Sequence, residues 1–143
     1  MSKGDTFEND LLKLIFNGTA IPNIADNAAT APLTNLYVAL HTADPGEGGN
    51  QSTNEVAYTG YARVAVARST SGWTVSGNAA NPVAAIAFPQ CTGPENVTAT
   101  HFSVGTAGSG VGKILYKGTI SPNIAISNGV IPQLTTASSV TED

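Results

Sequence analysis

Charged side chains are scarce in this sequence of 143 residues. Asp, Glu, Lys and Arg make up 11% of it, against about 25% in an average soluble protein. Six residues are Lys or Arg, and the net charge is −4. A nucleic-acid-binding protein needs clustered basic residues to displace the counterions of the phosphates, and the sequence has no such cluster. A neutral surface rich in Ser, Thr, Asn and Gly favours contact with other proteins, because few charges must be desolvated. Composition alone leaves an extracellular β domain open as the alternative.

Long apolar segments and cysteine pairs are also missing. No stretch approaches the roughly 18 apolar residues of a membrane-spanning helix, and the first ten residues lack the order of a secretory signal peptide. Cys91 is the single cysteine, so it forms no intrachain disulfide, and no CxxC pattern indicates a metal site. We therefore expect a chain made in a reducing cytoplasm, without membrane association, metal or cofactor.

One helix is predicted near the start of the chain. Asp5 and Glu8 have the spacing of a capping box, and the apolar residues that follow lie mostly on one side of a 3.6-residue period. Asn17 and Gly18 supply a left-handed stop. The pattern predicts a helix over residues 5–17 that packs against a sheet. Docking of this helix onto a neighbouring subunit is the alternative.

Short β-like segments separated by Gly and Pro fill residues 36–134. They are 36–41, 56–58, 61–67, 73–76, 79–82, 84–88, 98–104, 113–120 and 130–134. Their number and spacing predict a mainly β, antiparallel β-sandwich or jelly-roll-like fold with one N-terminal α-helix. We expect a single domain over residues 1–143, with the sandwich over 36–134. The polar residues 135–143 are predicted to form a C-terminal arm or a disordered tail.

The glycine-rich run Gly105–Lys113 resembles a phosphate-binding loop but lacks its key residues. The first glycine of that motif falls on Ala107, and Ile114 stands where Ser or Thr must bind magnesium. A flexible hairpin turn is favoured instead.

A second group, His41 with Asp44 and Glu47, can be drawn as a metal or acid–base cluster. The proline and glycines around these residues would leave such ligands unpositioned, so a turn closed by Asp44 on its own backbone is favoured. No other spacing indicates paired carboxylates or an activated nucleophile. We expect no enzymatic activity.

Five residues are the candidates for a protein interface: Asp44, Pro45, Glu47, Tyr58 and Tyr61. The first three lie in a long polar loop, predicted over residues 44–55. Tyrosine supplies contact area and a hydroxyl at low entropy cost and is enriched at interfaces. The alternative for the two tyrosines is that they cover the sheet.

Several blocks of the sequence resemble one family. The blocks are Asp5–Glu8, Leu11–Phe16, Asn35–Glu47, Tyr58–Val64, Gly72–Trp73, Phe88–Pro89 and His101–Phe102. They resemble small structural proteins of tailed bacteriophages and prophages, often labelled tail fibre proteins, over nearly the whole chain. Members of similar size act as capsid cement or decoration proteins with a jelly-roll-like fold over an HK97-type shell.

The resemblance implies a phage virion protein on the capsid surface, made in the bacterial host cytoplasm. Its partners would be the major capsid protein and itself, as a dimer or trimer. The chain shows neither shaft repeats nor heptads, which favours a cement protein that binds across capsomers and gains affinity through avidity. A tail fibre or baseplate-associated host-binding domain is the alternative. A cell-wall hydrolase would need a carboxylate pair or a metal site, and the sequence indicates neither.

Overall fold

The computed structural model describes residues 3–28 and 30–142. Within them the chain forms one helix and nine strands. The elements are α1 (Asp5–Asn17), β1 (Asn35–His41), β2 (Val64–Ala67), β3 (Trp73–Ser76), β4 (Ala79–Pro82), β5 (Ile86–Ala87), β6 (Val97–Gly105), β7 (Ile114–Ile126), β8 (Gln133–Leu134) and β9 (Val140–Thr141). The strand pairs whose register is defined are antiparallel. The predicted fold class, mainly β and antiparallel with one N-terminal helix, is confirmed.

The strands form three sheets, with orders β2-β1-β6-β7, β3-β4-β9 and β5-β8. By their internal contacts, the residues group into two compact units. The first holds residues up to Asn35, Val66–Ile86 and residues from Leu134 onward; the second holds Leu36–Ala65 and Ala87–Gln133. The expectation of a single domain over the whole chain stays a prediction. Among the described residues, no helix is both long and apolar enough to cross a membrane.

The helix α1 belongs to the first unit and has the predicted bounds. Its start differs from the prediction, because the N-cap is Gly4, which makes no side-chain cap, and Glu8 is buried. Its end is as predicted, since Gly18 adopts the left-handed conformation at φ 67°. Arg68 completes this end by donating to the carbonyls of Leu14 and Ile15, at 2.6 and 2.7 Å. These are among the carbonyls that a helix end leaves without partners.

The core of the first unit lies between α1 and the β3–β4 pair. Phe16 is fully buried and meets Trp73 edge-on, with ring centroids 4.8 Å apart. Asn17 donates its side-chain amide to the Trp73 carbonyl at 3.1 Å, and Asn9 donates to Gly77 at 2.7 Å. The helix is therefore fixed by aromatic packing along its inner face and by the amide hydrogen bonds of Asn9 and Asn17.

The C-terminal segment is not the free arm that its polar composition predicted. Val140 is buried, and β9 pairs with β4 in the register Ala80↔Val140. Beyond it, Glu142 and Asn78 exchange two hydrogen bonds of 2.9 Å. A single apolar residue on a two-residue strand gives no periodic signal, so the prediction of an arm or disordered tail was wrong for residues 135–142; Asp143 lies outside the described residues.

The second unit is built on β1, β6 and β7. β1 and β6 pair from Tyr37↔Gly105 to His41↔His101. β7 runs six residues further than predicted, to Ile126, with a bulge opposite the β6 step from Ala99 to His101. The predicted strand over 56–58 is absent, although Val56 donates to Leu40 at 3.0 Å.

Truncation of the inner aromatic residue on α1 tests this packing. Phe16→Ala should lower the free energy of unfolding by about 3–5 kcal/mol, because the cavity forms in a fully buried site. Phe7→Ala, on the same helix but 42% exposed, is the matched control and should cost less than about 1 kcal/mol. Urea unfolding followed by the fluorescence of Trp73 measures both. Equal losses would contradict the assigned inner face.

Candidate functional site

The five predicted interface residues all lie between β1 and β2, but they do not form one site. Tyr58 and Tyr61 line an open pocket of ≈ 600 Å³ together with Glu55, Val56, Thr59 and Glu95. Asp44, Pro45 and Glu47 are not part of its lining. The segment therefore contains two separate features, a polar turn and a tyrosine pocket.

Asp44 closes the turn on its own backbone, as its sequence context predicted. Its carboxylate accepts a 2.8 Å hydrogen bond from the Gly46 N–H and pairs with Lys117 at 2.9 Å. The Gly46 N–H and then Lys117 lower the pKa of Asp44. The Asn54 side chain donates to the Asp44 carbonyl at 3.1 Å and so ties the two ends of the loop together. The carboxylate remains half exposed and thus available for a surface contact.

Pro45 and Glu47 differ in accessibility. Pro45 is buried, so its ring is not presented at the surface. Glu47 is exposed. Of the three turn residues proposed from sequence, only Asp44 and Glu47 can meet a partner without a change in the loop.

The two tyrosines pack on each other and on the core. Their ring centroids are 5.3 Å apart at 67°, and Tyr61 stacks on Phe88 at 6.3 Å. The Tyr58 hydroxyl donates to the Pro89 carbonyl at 2.7 Å, and burial raises the pKa of Tyr58 to about 12. Tyr58 is almost fully buried. The rings therefore pack on the core and also line the pocket, and their role at a protein interface stays a prediction.

The Tyr61 hydroxyl connects the pocket to β1. It donates to Glu55 at 2.9 Å and accepts from the Leu40 N–H at 3.1 Å. Burial is the main cause that raises the pKa of Tyr61. A phenol held neutral by burial and bonded on both sides serves to position the ring and does not act as an acid or base near neutral pH.

A buried ion pair, which the sequence did not reveal, supports the pocket. Arg63 donates through Nε and Nη2 to the two carboxylate oxygens of Glu55, at 2.7 and 2.8 Å. Its remaining hydrogen bonds reach the carbonyls of Ala107 and Gly110, at 2.8 and 2.7 Å, and the Ser52 hydroxyl at 3.3 Å. The Arg63 side chain is only 2% exposed. The only indication of this ion pair in the sequence was one arginine inside an otherwise apolar β pattern.

Gln51 anchors the glycine-rich hairpin from inside. Fully buried, it donates to the Tyr37 carbonyl at 2.9 Å and accepts from the Ala107 N–H at 3.1 Å. A Cβ atom on Gly105 or Gly112 would overlap the Gln51 side chain. The loop is the predicted hairpin between β6 and β7, but it is anchored and not the flexible turn expected.

His41 is a structural residue and does not join Asp44 and Glu47 in a cluster. Its Nδ1 lies 2.8 Å from the Thr53 carbonyl, which only accepts, so Nδ1 carries the proton. Its Nε2 then accepts from the Ser103 hydroxyl at 2.8 Å. Within residues 3–28 and 30–142, no three His, Cys, Asp or Glu side chains are placed to hold a metal ion.

At the pocket rim, Thr59 fixes the Glu95 carboxylate. The Thr59 hydroxyl donates to Glu95 at 2.7 Å, which is the main cause that lowers the pKa of Glu95. Glu95 is absent from the ion pairs formed by the described residues, in contrast to Glu55. The buried Cys91 lies behind it, with its sulfur 3.9 Å from the second carboxylate oxygen. The pocket thus has aromatic walls and one uncompensated negative charge.

Removal of the buried cation of Arg63 should lower the free energy of unfolding far more than removal of an exposed cation. Arg63→Gln should lower the free energy of unfolding by about 3 kcal/mol, because Glu55 would keep its charge in a mostly buried position. Amide hydrogen exchange over residues 106–112 should also speed up. Lys117→Gln, which breaks the exposed pair with Asp44, is the control and should change both measurements much less. Similar effects of the two substitutions would contradict the anchoring role.

The buried imidazole predicts a pH dependence. Burial lowers the pKa of His41 below its ordinary value of 6.5, so the unfolded chain binds the proton more readily. The stability from neutral His41 is complete above pH 6.5 and is lost as the pH falls from there through the folded-state pKa. Nitrogen-15 NMR should show the Nδ1–H tautomer of His41 persisting below pH 6.5. Protonation of His41 at or above pH 6.5 would refute this.

Comparison with known families identifies the chain. The family model described as podophage GP4 fiber I protein gp80 matches residues 2–141. No curated protein matches the chain. Because the matched span includes almost every residue, the chain belongs to this family of phage structural proteins.

Proposed function

We propose that this chain is a structural subunit of a phage virion, part of the fibre apparatus, and that it works by binding other proteins and not by catalysis. The observation that carries the proposal is the family match, whose description names a fibre protein and which spans residues 2–141. The low content of charged residues, 11%, supports a role in extended protein contacts.

The arrangement of the polar groups also supports a scaffold role. Arg63 and Tyr61 are bonded to Glu55, and His41 is bonded to Thr53 and Ser103. Each of these groups could serve a reaction as acid, base or electrostatic stabiliser. They instead hold loops in fixed positions, which suits a surface that must match a partner.

A capsid cement protein, the function first predicted from sequence, is the second candidate. It is favoured by the lack of heptads and shaft-like repeats over 143 residues. In that role, many copies would bind the major capsid protein across capsomers, and each copy would stabilise only the assembled shell. The description of the matched family favours the fibre over the shell.

Copy number and position in purified virions separate the two candidates. Quantitative mass spectrometry against the major capsid protein should give far fewer copies than capsid subunits, and immunogold labelling should mark the tail. A copy number approaching that of the capsid subunit, with gold over the head, would replace the fibre proposal by the cement function. Absence from the virion would refute both.

A further inference from the structure

The tyrosine pocket carries a charge that nothing in the described part of the chain neutralises. Glu55, at one side, is bonded by both oxygens to Arg63. Glu95, at the other side, takes part in none of the ion pairs formed by residues 3–28 and 30–142. Thr59 orients its carboxylate with a 2.7 Å hydrogen bond to one oxygen, and the Cys91 sulfur lies 3.9 Å from the other. A ligand that enters the pocket therefore meets a single oriented anion.

The pocket lining combines two tyrosines with apolar and polar side chains. Tyr58 and Tyr61 contribute rings whose hydroxyls are already bonded to Pro89, Glu55 and the β1 backbone. Aromatic rings attract cations through the negative potential of their faces. A guanidinium group suits such walls better than an ammonium group, because it is planar, more weakly hydrated and able to stack on an aromatic ring while it pairs with a carboxylate.

From this combination, we propose that the pocket between the tyrosines and Glu95 binds the side chain of an arginine from a partner protein. The partner would be a virion subunit with a basic contact surface, complementary to the net charge of −4 on this chain. This inference rests on the proposed protein-binding function and adds the chemistry of the contact. The Asp44 turn is not part of the proposed site, because its carboxylate is already paired with Lys117.

Four of the six basic side chains have bonds within the described part of the chain, and none of these bonds involves Glu95. Arg63 is enclosed by Glu55 and two carbonyls, and Arg68 lies on the end of α1. Lys3 and Lys117 form ion pairs with Glu142 and Asp44. None of these four can enter the pocket without giving up a bond that holds the chain together.

A titration of the isolated, nitrogen-15-labelled chain with N-acetyl-arginine amide tests the proposal. Backbone signals of Tyr58, Thr59 and Glu95 should shift in a saturable way at millimolar concentrations. N-acetyl-citrulline amide, which has nearly the same shape without the charge, should not produce these shifts. Glu95→Gln should weaken binding on the order of fivefold, the size expected for a partly exposed ion pair.

Glu47→Gln removes one exposed carboxylate outside the pocket and is the matched control, so it should leave the affinity unchanged. Glu95→Asp, which keeps the charge, serves as a second variant in case Glu95→Gln unfolds, and should retain more of the binding than the amide. The proposal is overturned if no saturable shift occurs, if citrulline amide produces the same shifts, or if Glu47→Gln weakens binding as much as Glu95→Gln.

These results are independent of the position of the chain in the virion. A chain found in the fibre that does not bind arginine amide would overturn the pocket assignment alone. A chain absent from virions that binds the probe as expected would overturn the virion partner and the proposed function together.

Discussion

The guanidinium of Arg63 is the point on which the loops of the second unit depend. Desolvation of such a group costs several kcal/mol unless partners surround it, and Glu55 supplies the countercharge with two short hydrogen bonds. The carbonyls of Ala107 and Gly110 take up the remaining N–H groups, so the hairpin is held by the same cation. Tyr61 bonds to the same carboxylate. One ion pair therefore fixes the hairpin, the tyrosine floor of the pocket and the contact with β1 at once.

Several of the few basic side chains in this chain hold its segments together. Arg68 replaces the missing hydrogen-bond partners at the end of α1, where the helix has no basic residue in its last turn. Lys117 spans from β7 to the Asp44 turn, and Lys3 pairs with Glu142 beyond β9. Together with Arg63, these are four of the six cations, and they are placed where segments distant in sequence meet. The rest of the outer surface is mostly neutral, with a few separate carboxylates and the exposed Lys113.

Local patterns predicted the elements that depend on local sequence. The bounds of α1 follow from its periodicity and from the left-handed Gly18, and β1 and β6 follow from alternation. The sequence did not predict contacts that join distant residues, such as Arg63 with Ala107, since no local spacing encodes them. The prediction for residues 135–142 was wrong for the same reason, because the pairing of β9 depends on β4 and not on the composition of this segment.

The hairpin between β6 and β7 also indicates where this protein can accept amino-acid substitutions. A larger residue at Gly105 or Gly112 would have to displace the buried Gln51 side chain, which fills the space beside both. At the tip of the hairpin, by contrast, the side chain is not enclosed by the fold. Val111 is 81% exposed. Substitution in this hairpin should therefore be tolerated better at its outward-facing tip than at its packed base. Related phages that met different partners would be expected to diverge at the tip while they kept both glycines and the glutamine.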